Sequence, residues 1–244
     1  MHFHLPKPLH GWREFLGEVG IIVIGVLIAL GAEQMIEKWH WQHKADETTE
    51  AIHQELADDY GLAAEAASVA PCVDRQLVML EEAVGKSDFT GAPAYSDGDG
   101  RFNHFVVRLP SRPWADSAWQ AATNEGTVSH LPVNMRRAYQ SYYQQVGVME
   151  LNARQTDVIA WRLRALAFPA SAEVRARSIE SIEELRGHVD YMARVANQLM
   201  GRADSVGLRP PVKFIDGSIQ QSGTAKFCKA HGIAIGRPAP EIPS

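Results

Sequence analysis

The sequence contains little that would support a catalytic or nucleic-acid-binding function. Its 24 Lys and Arg residues are outnumbered by 29 Asp and Glu residues, which gives a formal net charge of −5. A chain of this charge, without a basic stripe, is not expected to bind nucleic-acid phosphates. The sequence also has no Gly-x-Ser-x-Gly motif and no glycine-rich phosphate-binding loop, the motifs of many hydrolases and nucleotide-binding enzymes. We therefore predict no catalytic residue, no cofactor, no enzymatic activity and no nucleic-acid partner.

Histidines and carboxylates do not complete a metal-binding pattern. Glu50, His53 and Glu55 match half of the carboxylate-bridged di-metal pattern that occurs in helical bundles. The later helical segments offer only Glu184 and His188 for the other half, at a spacing of four instead of three. The sequence therefore predicts solvated helix residues at these positions and no metal site.

Cysteine is scarce, since the chain has only two, Cys72 and Cys228. Both follow an apolar N-terminal segment, and an oxidising compartment would allow them to form a disulfide if this part of the chain is exported. The alternative is two unrelated thiols, one of them buried. In the chain-entropy model, a bridge across so long a loop would stabilise the fold by roughly 4–5 kcal/mol.

Long hydrophobic runs are also missing, with one exception near the N-terminus. Residues 19–32 carry no charge, and the extended segment 15–36 would form a helix about 33 Å long, enough for a hydrocarbon core of about 30 Å. Glu18 and Glu33 then lie near the two membrane surfaces, where a carboxylate costs far less than at the bilayer centre. The sequence therefore predicts one transmembrane helix and a lipid bilayer as a partner.

A cleaved secretory signal is the alternative interpretation of the same segment. Ala29-Leu-Gly31 offers a tolerable cleavage site, but the helical pattern continues beyond it without a Pro or a loop. Trp12, Trp39 and Trp41 occupy the positions of an interfacial aromatic belt. An uncleaved anchor is favoured, and the short N-terminal tail favours a cytoplasmic N-terminus with the large domain exported.

The span carries one possible helix-packing motif. Gly25 and Ala29 are four residues apart, and such small-x-x-x-small pairs allow close packing between spans. The alternative is that Gly and Ala are simply common in membrane helices. Self-association through this surface stays open at the level of the sequence.

Helical periodicity dominates the rest of the chain. No proline occurs over residues 33–69, so the anchor helix is expected to continue out of the membrane until Pro71 ends it. A second helix over 73–84 would complete a hairpin with Cys72 in its turn. Apolar residues at strict 4-3 spacing over 135–167 and 182–199 predict a second hairpin of long helices.

Two such hairpins predict an all-α fold, a transmembrane helix continuous with an antiparallel four-helix bundle. The C-terminal tail is expected to be irregular, except for a short helix around 224–230. The predicted division is a cytoplasmic tail (1–14), a transmembrane anchor (15–36), an exported periplasmic bundle (37–206) with an irregular loop (86–113), and a Pro/Gly-rich tail (207–244).

Two segments carry a family resemblance. The string Gly17-Glu-Val-Gly-Ile-Ile-Val-Ile-Gly-Val-Leu-Ile-Ala-Leu30, with Trp119–Gly126 and Tyr142-Tyr143, resembles a family of uncharacterised bacterial single-pass inner-membrane proteins. Where that family often has an Asn-rich exit from the span, this chain has residues Gly31-Ala-Glu-Gln34. The resemblance implies an inner-membrane anchor and an exported helical domain. It implies no catalytic residues, because the family has no established activity.

The loop over 86–113 is the predicted contact surface. Loops of this length are more often functional than merely connective, and this one carries the aromatic residues Phe89, Tyr95, Phe102 and Phe105. We expect a non-catalytic interaction or scaffold module of the cell envelope, which contacts an envelope protein or a second copy of itself. The alternative is a small-ligand-binding sensory bundle that acts through an associated membrane protein.

Overall fold

The computed structural model describes residues 11–92, 105–205 and 207–237, and these residues are mostly helical. The predicted all-α class is therefore confirmed. The elements are α1 (Trp12–Val84), α2 (Ser117–Asn124), a first 3₁₀ turn (Thr127–His130), α3 (Val133–Leu163), a second 3₁₀ turn (Arg164–Ala167), α4 (Ala172–Ser205), α5 (Val212–Gln221) and α6 (Gly223–Ala230).

α1 connects the apolar N-terminal segment to the helical domain without a break. It has 73 residues and is about 110 Å long at 1.5 Å per residue. An apolar window near its N-terminus has a mean hydropathy of 2.4 and is unburied, and α1 is the only helix in the described ranges long and apolar enough to cross a membrane. From Ile52 onward, one face of the same helix is buried in the domain core.

The predicted helix end at Pro71 is wrong, because α1 continues through this residue. Proline has no backbone N–H and removes one helical hydrogen bond, usually at a cost of about 3 kcal/mol. Val69 and Val73 on either side of it are buried in the core, and tertiary packing of this kind overrides local propensity. The chain near the C-terminus adds a further contact, since Gly236 N donates to the Ser68 carbonyl over 2.7 Å.

α4 runs antiparallel to α1. Near its start, Arg175 Nη1 donates to the carbonyl of Val84 at the end of α1 over 3.1 Å. Near its end, Asp204 Oδ1 accepts a hydrogen bond from the Tyr60 hydroxyl over 3.0 Å. The start of α4 therefore lies beside the end of α1, and the end of α4 lies beside Tyr60, farther back along α1.

α3 runs in the same direction as α1. Tyr143 in its first half donates to Glu55, with 2.7 Å between the hydroxyl and Oε1, and Asp157 in its second half lines a groove with Val73 of α1. The domain therefore has three long helices at its centre, α1, α3 and α4. The antiparallel four-helix bundle is not confirmed, because residues 73–84 continue α1 and form no separate helix.

The segment 207–237 is more regular than predicted. It contains α5 and α6, and α6 matches the short helix expected around 224–230. Ile215 and Ile219 are one helical turn apart on α5, and both are buried. Burial of this apolar pair stabilises α5 against α1. The high Pro and Gly content of the segment makes this short helix hard to predict from the sequence.

Candidate functional site: a polar seam between α1 and a strap

Residues 105–118 form a strap that lies along α1. Four side chains of α1 hold the strap, and we call them the polar seam: Gln76, Glu65, Asp59 and Glu55. In order along the strap, Arg108 contacts Gln76, Arg112 contacts Glu65, Ala115 contacts Asp59, and Ser117 with Ala118 contacts Glu55. All four seam residues are buried, and the strap runs along α1 in the opposite direction to the helix.

Glu55 is the first seam residue along α1, and both of its carboxylate oxygens accept hydrogen bonds. Its Oε2 accepts from Ser117 Oγ at 2.7 Å and from Ala118 N at 2.9 Å. Its Oε1 accepts from the Tyr143 hydroxyl at 2.7 Å. Hydrogen bonds to an ionised acceptor are among the strongest in proteins, so Glu55 fixes the start of α2 and the first half of α3 to α1.

Asp59 is satisfied on one oxygen only. Oδ1 accepts from Ala115 N at 3.1 Å, while Oδ2 is buried and has no hydrogen-bond partner among the residues that the structure describes. Burial raises the pKa of the Asp59 carboxyl to about 8, against the opposing effect of the Ala115 N–H. Nearby Glu55, Asp58 and Asp116 add to the rise through their negative charges. Asp59 is therefore mostly protonated at neutral pH.

Glu65 and Arg112 form the most buried ion pair of the seam. Arg112 Nε lies 2.7 Å from Glu65 Oε2, and one terminal guanidinium nitrogen contacts the same oxygen. That nitrogen also donates to the Ser218 carbonyl and hydroxyl oxygens, at 3.2 and 3.0 Å. Arg112 thereby ties the strap to both α1 and α5.

Three tyrosines surround the seam, and burial raises the pKa of each. The pKa of Tyr60 rises to about 12, chiefly through desolvation and then through the charge of its partner Asp204. Desolvation raises the pKa values of Tyr142 and Tyr143 further, and the Glu55 carboxylate adds to both. All three therefore act as neutral hydrogen-bond donors.

A cleft of about 540 Å³ opens between α1 and α5 beside the strap. Asp58 and Asp59 line its α1 wall, and Lys213 and Gln221 line its α5 wall. Gly61 brings the two helices together near the cleft, because a Cβ atom there would lie 2.6 Å from Ser218 Oγ. The cleft has the size that a small ligand occupies, and both charged and apolar side chains line it.

Three residues of the incomplete di-metal pattern have other partners. His53 Nε2 lies 2.7 Å from the Tyr139 hydroxyl, and Glu55 belongs to the polar seam. Glu184 lies 3.7 Å from Arg162. Across the described ranges, no group of three or more potential ligands is arranged to hold a metal ion.

The two cysteines are bonded to each other in the structure. Cys72 Sγ and Cys228 Sγ are 1.96 Å apart, and the Cα atoms are 6.1 Å apart. Cys72 lies inside α1, not in the turn that the sequence suggested. The bridge joins α6 to the last quarter of α1, next to Pro71.

The predicted aromatic loop is only partly within the described residues. Phe89 packs against the core, and Phe105 lies edge-on to Trp161, with ring centroids 5.3 Å apart. Tyr95 and Phe102 lie outside the described residues. The loop as a contact surface stays a prediction.

A surface that the sequence analysis missed lies on the outer side of α3. We call Leu151, Val158 and Trp161 the outer stripe; more than half of each residue is exposed. Their spacings of seven and three place them on one helix face. Arg164 covers part of Trp161, with its guanidinium carbon 4.3 Å from the ring centroid. Exposed apolar residues at helical spacing are typical of a surface that packs against another protein.

The small residues of the span lie on an open surface. A Cβ atom built on Gly25 would meet nothing within 4 Å, and Ala29 is exposed. Packing of this surface against another span stays a prediction.

Comparison with known proteins adds no functional assignment. No protein-family model, no curated protein and no solved structure matches the chain. The geometry of the described residues is therefore the basis for the functional proposals below.

Proposed function

We propose that this protein is a single-pass membrane protein of the bacterial envelope whose exported helical domain acts by binding another protein and not by catalysis. The observation that carries the proposal is the continuity of α1, which contains both the apolar unburied segment and the core of the domain. A domain built on the same helix as its anchor is held at a fixed distance from the bilayer. Such geometry suits a module that meets its partner at a defined height.

Export to the periplasm is supported by the Cys72–Cys228 bridge. Disulfides persist in the periplasm and are rare in the reducing cytosol. Inner-membrane location, a cytoplasmic N-terminus and membership of the resembling family are parts of the same proposal. The sequence of the span and the Cys72–Cys228 bridge together support these three parts of the proposal.

The outer stripe is the proposed protein-binding surface. Each of its three apolar residues is more than half exposed, and Phe105 extends it at the Trp161 end. The polar groups of the seam are hydrogen-bonded to partners inside the domain, so the outer helix faces are the surfaces available to another protein. The partner is an envelope protein, or a second copy of the chain.

Photo-crosslinking in intact cells tests this surface. A photoreactive residue at position 151 or 158 should give one defined adduct, whereas the same residue at exposed Glu180 of α4 should give none. W161A should reduce the adduct from position 151 without lowering the amount of protein in the membrane. Adducts at Glu180 and not at the stripe would contradict the assignment, and an adduct of twice the chain mass would identify self-association.

Small-ligand binding is the second candidate function, favoured by the cleft between α1 and α5. Asp58 and Lys213 are exposed side chains of opposite charge on the two walls of this cleft. A small polar ligand there should raise the unfolding temperature of the detergent-solubilised protein, and D58N with K213A should abolish the rise. A panel of amino acids, polyamines and dicarboxylates that produces no shift would count against this candidate.

A further inference from the structure

A second groove lies at the foot of the domain, where α1 leaves the proposed span. Its volume is about 680 Å³, and its walls come from α1 and from the junction between the first 3₁₀ turn and α3. Gln34 lines the lower end, within the predicted span 15–36, and Asp46 lines the upper end. The groove therefore begins at the membrane surface and extends away from it along α1.

The height of the groove matches the lipid headgroup layer. Lys38 and Trp41 are two and five residues beyond Ile36, or about 3 and 7.5 Å along the helix. The headgroup region of one leaflet is about 5–8 Å thick, taken as half the difference between the whole bilayer and its hydrocarbon core. Both side chains therefore lie at the level of lipid phosphates and the groups attached to them.

The wall of the groove is built by a contact between distant segments. The rings of Trp41 and His130 are stacked, with centroids 3.9 Å apart and planes 9° apart. Beside them, Lys44 forms an ion pair with Glu125 at 3.1 Å. These contacts hold the 3₁₀ turn against α1 at a fixed height, so that the groove is part of the fold.

The groove carries groups of both charges. Lys38 and the imidazole of His130 can donate to a phosphate, while Glu37, at the level of Lys38, can accept from an ammonium group. Trp41 supplies the amphipathic ring that favours the membrane interface. A ligand with a phosphate and an ammonium group a few bonds apart satisfies both sets of side chains.

We propose that this groove binds the headgroup of a zwitterionic phospholipid of the phosphatidylethanolamine type, and that the bound lipid holds the domain against the bilayer. The inference rests on the proposed membrane anchor, since only a chain in the membrane brings the groove to the headgroups. An anionic lipid such as phosphatidylglycerol lacks the ammonium group and leaves Glu37 without a partner in the ligand.

Native mass spectrometry of the full chain tests the proposal. The protein is released from vesicles of equal parts phosphatidylethanolamine and phosphatidylglycerol, and the retained lipid is identified. The wild type should retain about one phosphatidylethanolamine per chain. K38Q and H130A should each lower its retention about tenfold, which corresponds to about 1.4 kcal/mol.

The chain provides matched controls at the same height. Trp39 and His43 form a second stacked pair on α1, with planes 3° apart, and neither residue lines the groove. W39A and H43A should leave lipid retention unchanged. Equal retention of both lipids, or equal effects of groove and control variants, would overturn the proposal and indicate nonspecific boundary lipid. Loss of the wild-type chain from carbonate-washed membranes would instead contradict the anchor itself.

Discussion

Asp59 is the residue whose environment departs most from that of an ordinary surface carboxylate. It lies in the polar seam with one hydrogen bond from Ala115, and its Oδ2 has no partner in the described part of the chain. Glu55, one turn earlier, accepts three hydrogen bonds from neutral donors. The two side chains lie on the same helix in different environments. Glu55 is surrounded by hydrogen-bond donors of the protein, whereas Asp59 is buried with a single donor. A buried carboxyl that lacks partners avoids the cost of a buried charge by binding a proton.

Replacing Asp59 by Asn is expected to reduce the dependence of stability on pH. Burial raises the pKa of Asp59 to about 8 in the folded protein, above about 3.9 in an unfolded chain. The folded state therefore holds an extra proton between these values, and wild-type stability falls as pH rises through this range. Relative to the wild type, D59N should gain stability from pH 5 to pH 8, by up to about 1.4 kcal/mol per pH unit.

Urea unfolding of the full chain in detergent measures this difference. E82Q is the matched control, since Glu82 is an exposed carboxylate on the same helix and is not among the charges that raise the Asp59 pKa. Its stability relative to the wild type should change little over the same pH range. A D59N difference that is constant from pH 5 to pH 8 would contradict the buried neutral carboxyl.

At the scale of elements, the contact between α1 and α5 depends on Gly61. A methyl group at this position would lie 2.6 Å from Ser218 Oγ and 2.9 Å from Ser218 Cβ. Overpacking of this kind typically costs about 1–3 kcal/mol, more than the roughly 1 kcal/mol that Ala gains over Gly inside a helix. G61A should therefore lower the free energy of unfolding or displace α5.

A double variant distinguishes this clash from a general helix effect. S218G removes the atoms that a Cβ at position 61 would meet, so G61A should be less destabilising in S218G than in the wild type. G187A in α4 is the control, because its added methyl group meets nothing within 4 Å, and it should stabilise the protein slightly. Equal effects of G61A in both backgrounds would show that α5 does not pack at this position.

The disulfide joins two elements that are far apart in the sequence. Cys72 and Cys228 are separated by 156 residues, for which the chain-entropy model gives about 5 kcal/mol of stabilisation. Protein denatured without reductant should show no free thiols, and two after reduction. C72S with C228S should make the region of α5 and α6 more sensitive to protease. Two free thiols before reduction would disprove the bridge.

The sequence predicted element type better than element ends. Apolar 4-3 spacing identified α3 and α4 because both bury one stripe of residues along most of their length. The helix end at Pro71 was predicted from the missing N–H of proline, which is visible in the sequence. The burial of Val69 and Val73, which keeps the helix intact there, is not visible in the sequence. α5 was missed because one short turn with two isoleucines is a weak periodic signal beside several prolines and glycines.

The apolar spacing of the sequence could not predict the polar seam, for a different reason. Glu55 and Asp59 lie one turn apart and beside the buried Leu56 and Tyr60, so that each looks like the polar edge of an amphipathic helix. Their burial results from the strap, which has no periodic pattern of its own. Only the tertiary structure shows that Ala115 N–H and Ser117 are their partners.

On the scale of the whole molecule, α1 connects the proposed membrane span to the helical domain as one continuous helix. The unburied apolar segment, Trp41 with its stacked partner His130, and the polar seam follow one another along this helix, and the disulfide at Cys72 lies between the seam residues Glu65 and Gln76. In the proposed topology, the headgroup groove lies lowest, the cleft beside Asp59 above it, and the Cys72 bridge higher again. The outer stripe lies on α3, which runs in the same direction as α1, and it is the surface that we propose for protein binding.

A fusion of alkaline phosphatase after Ser244 tests the central claim that α1 anchors an exported domain. The enzyme is active only when it is exported, and alkaline carbonate removes proteins that do not span the bilayer. The account predicts phosphatase activity that stays with the carbonate-washed membranes. Inactive enzyme would contradict export, and active enzyme in the soluble fraction, with a mature chain starting near Ala32, would contradict the anchor.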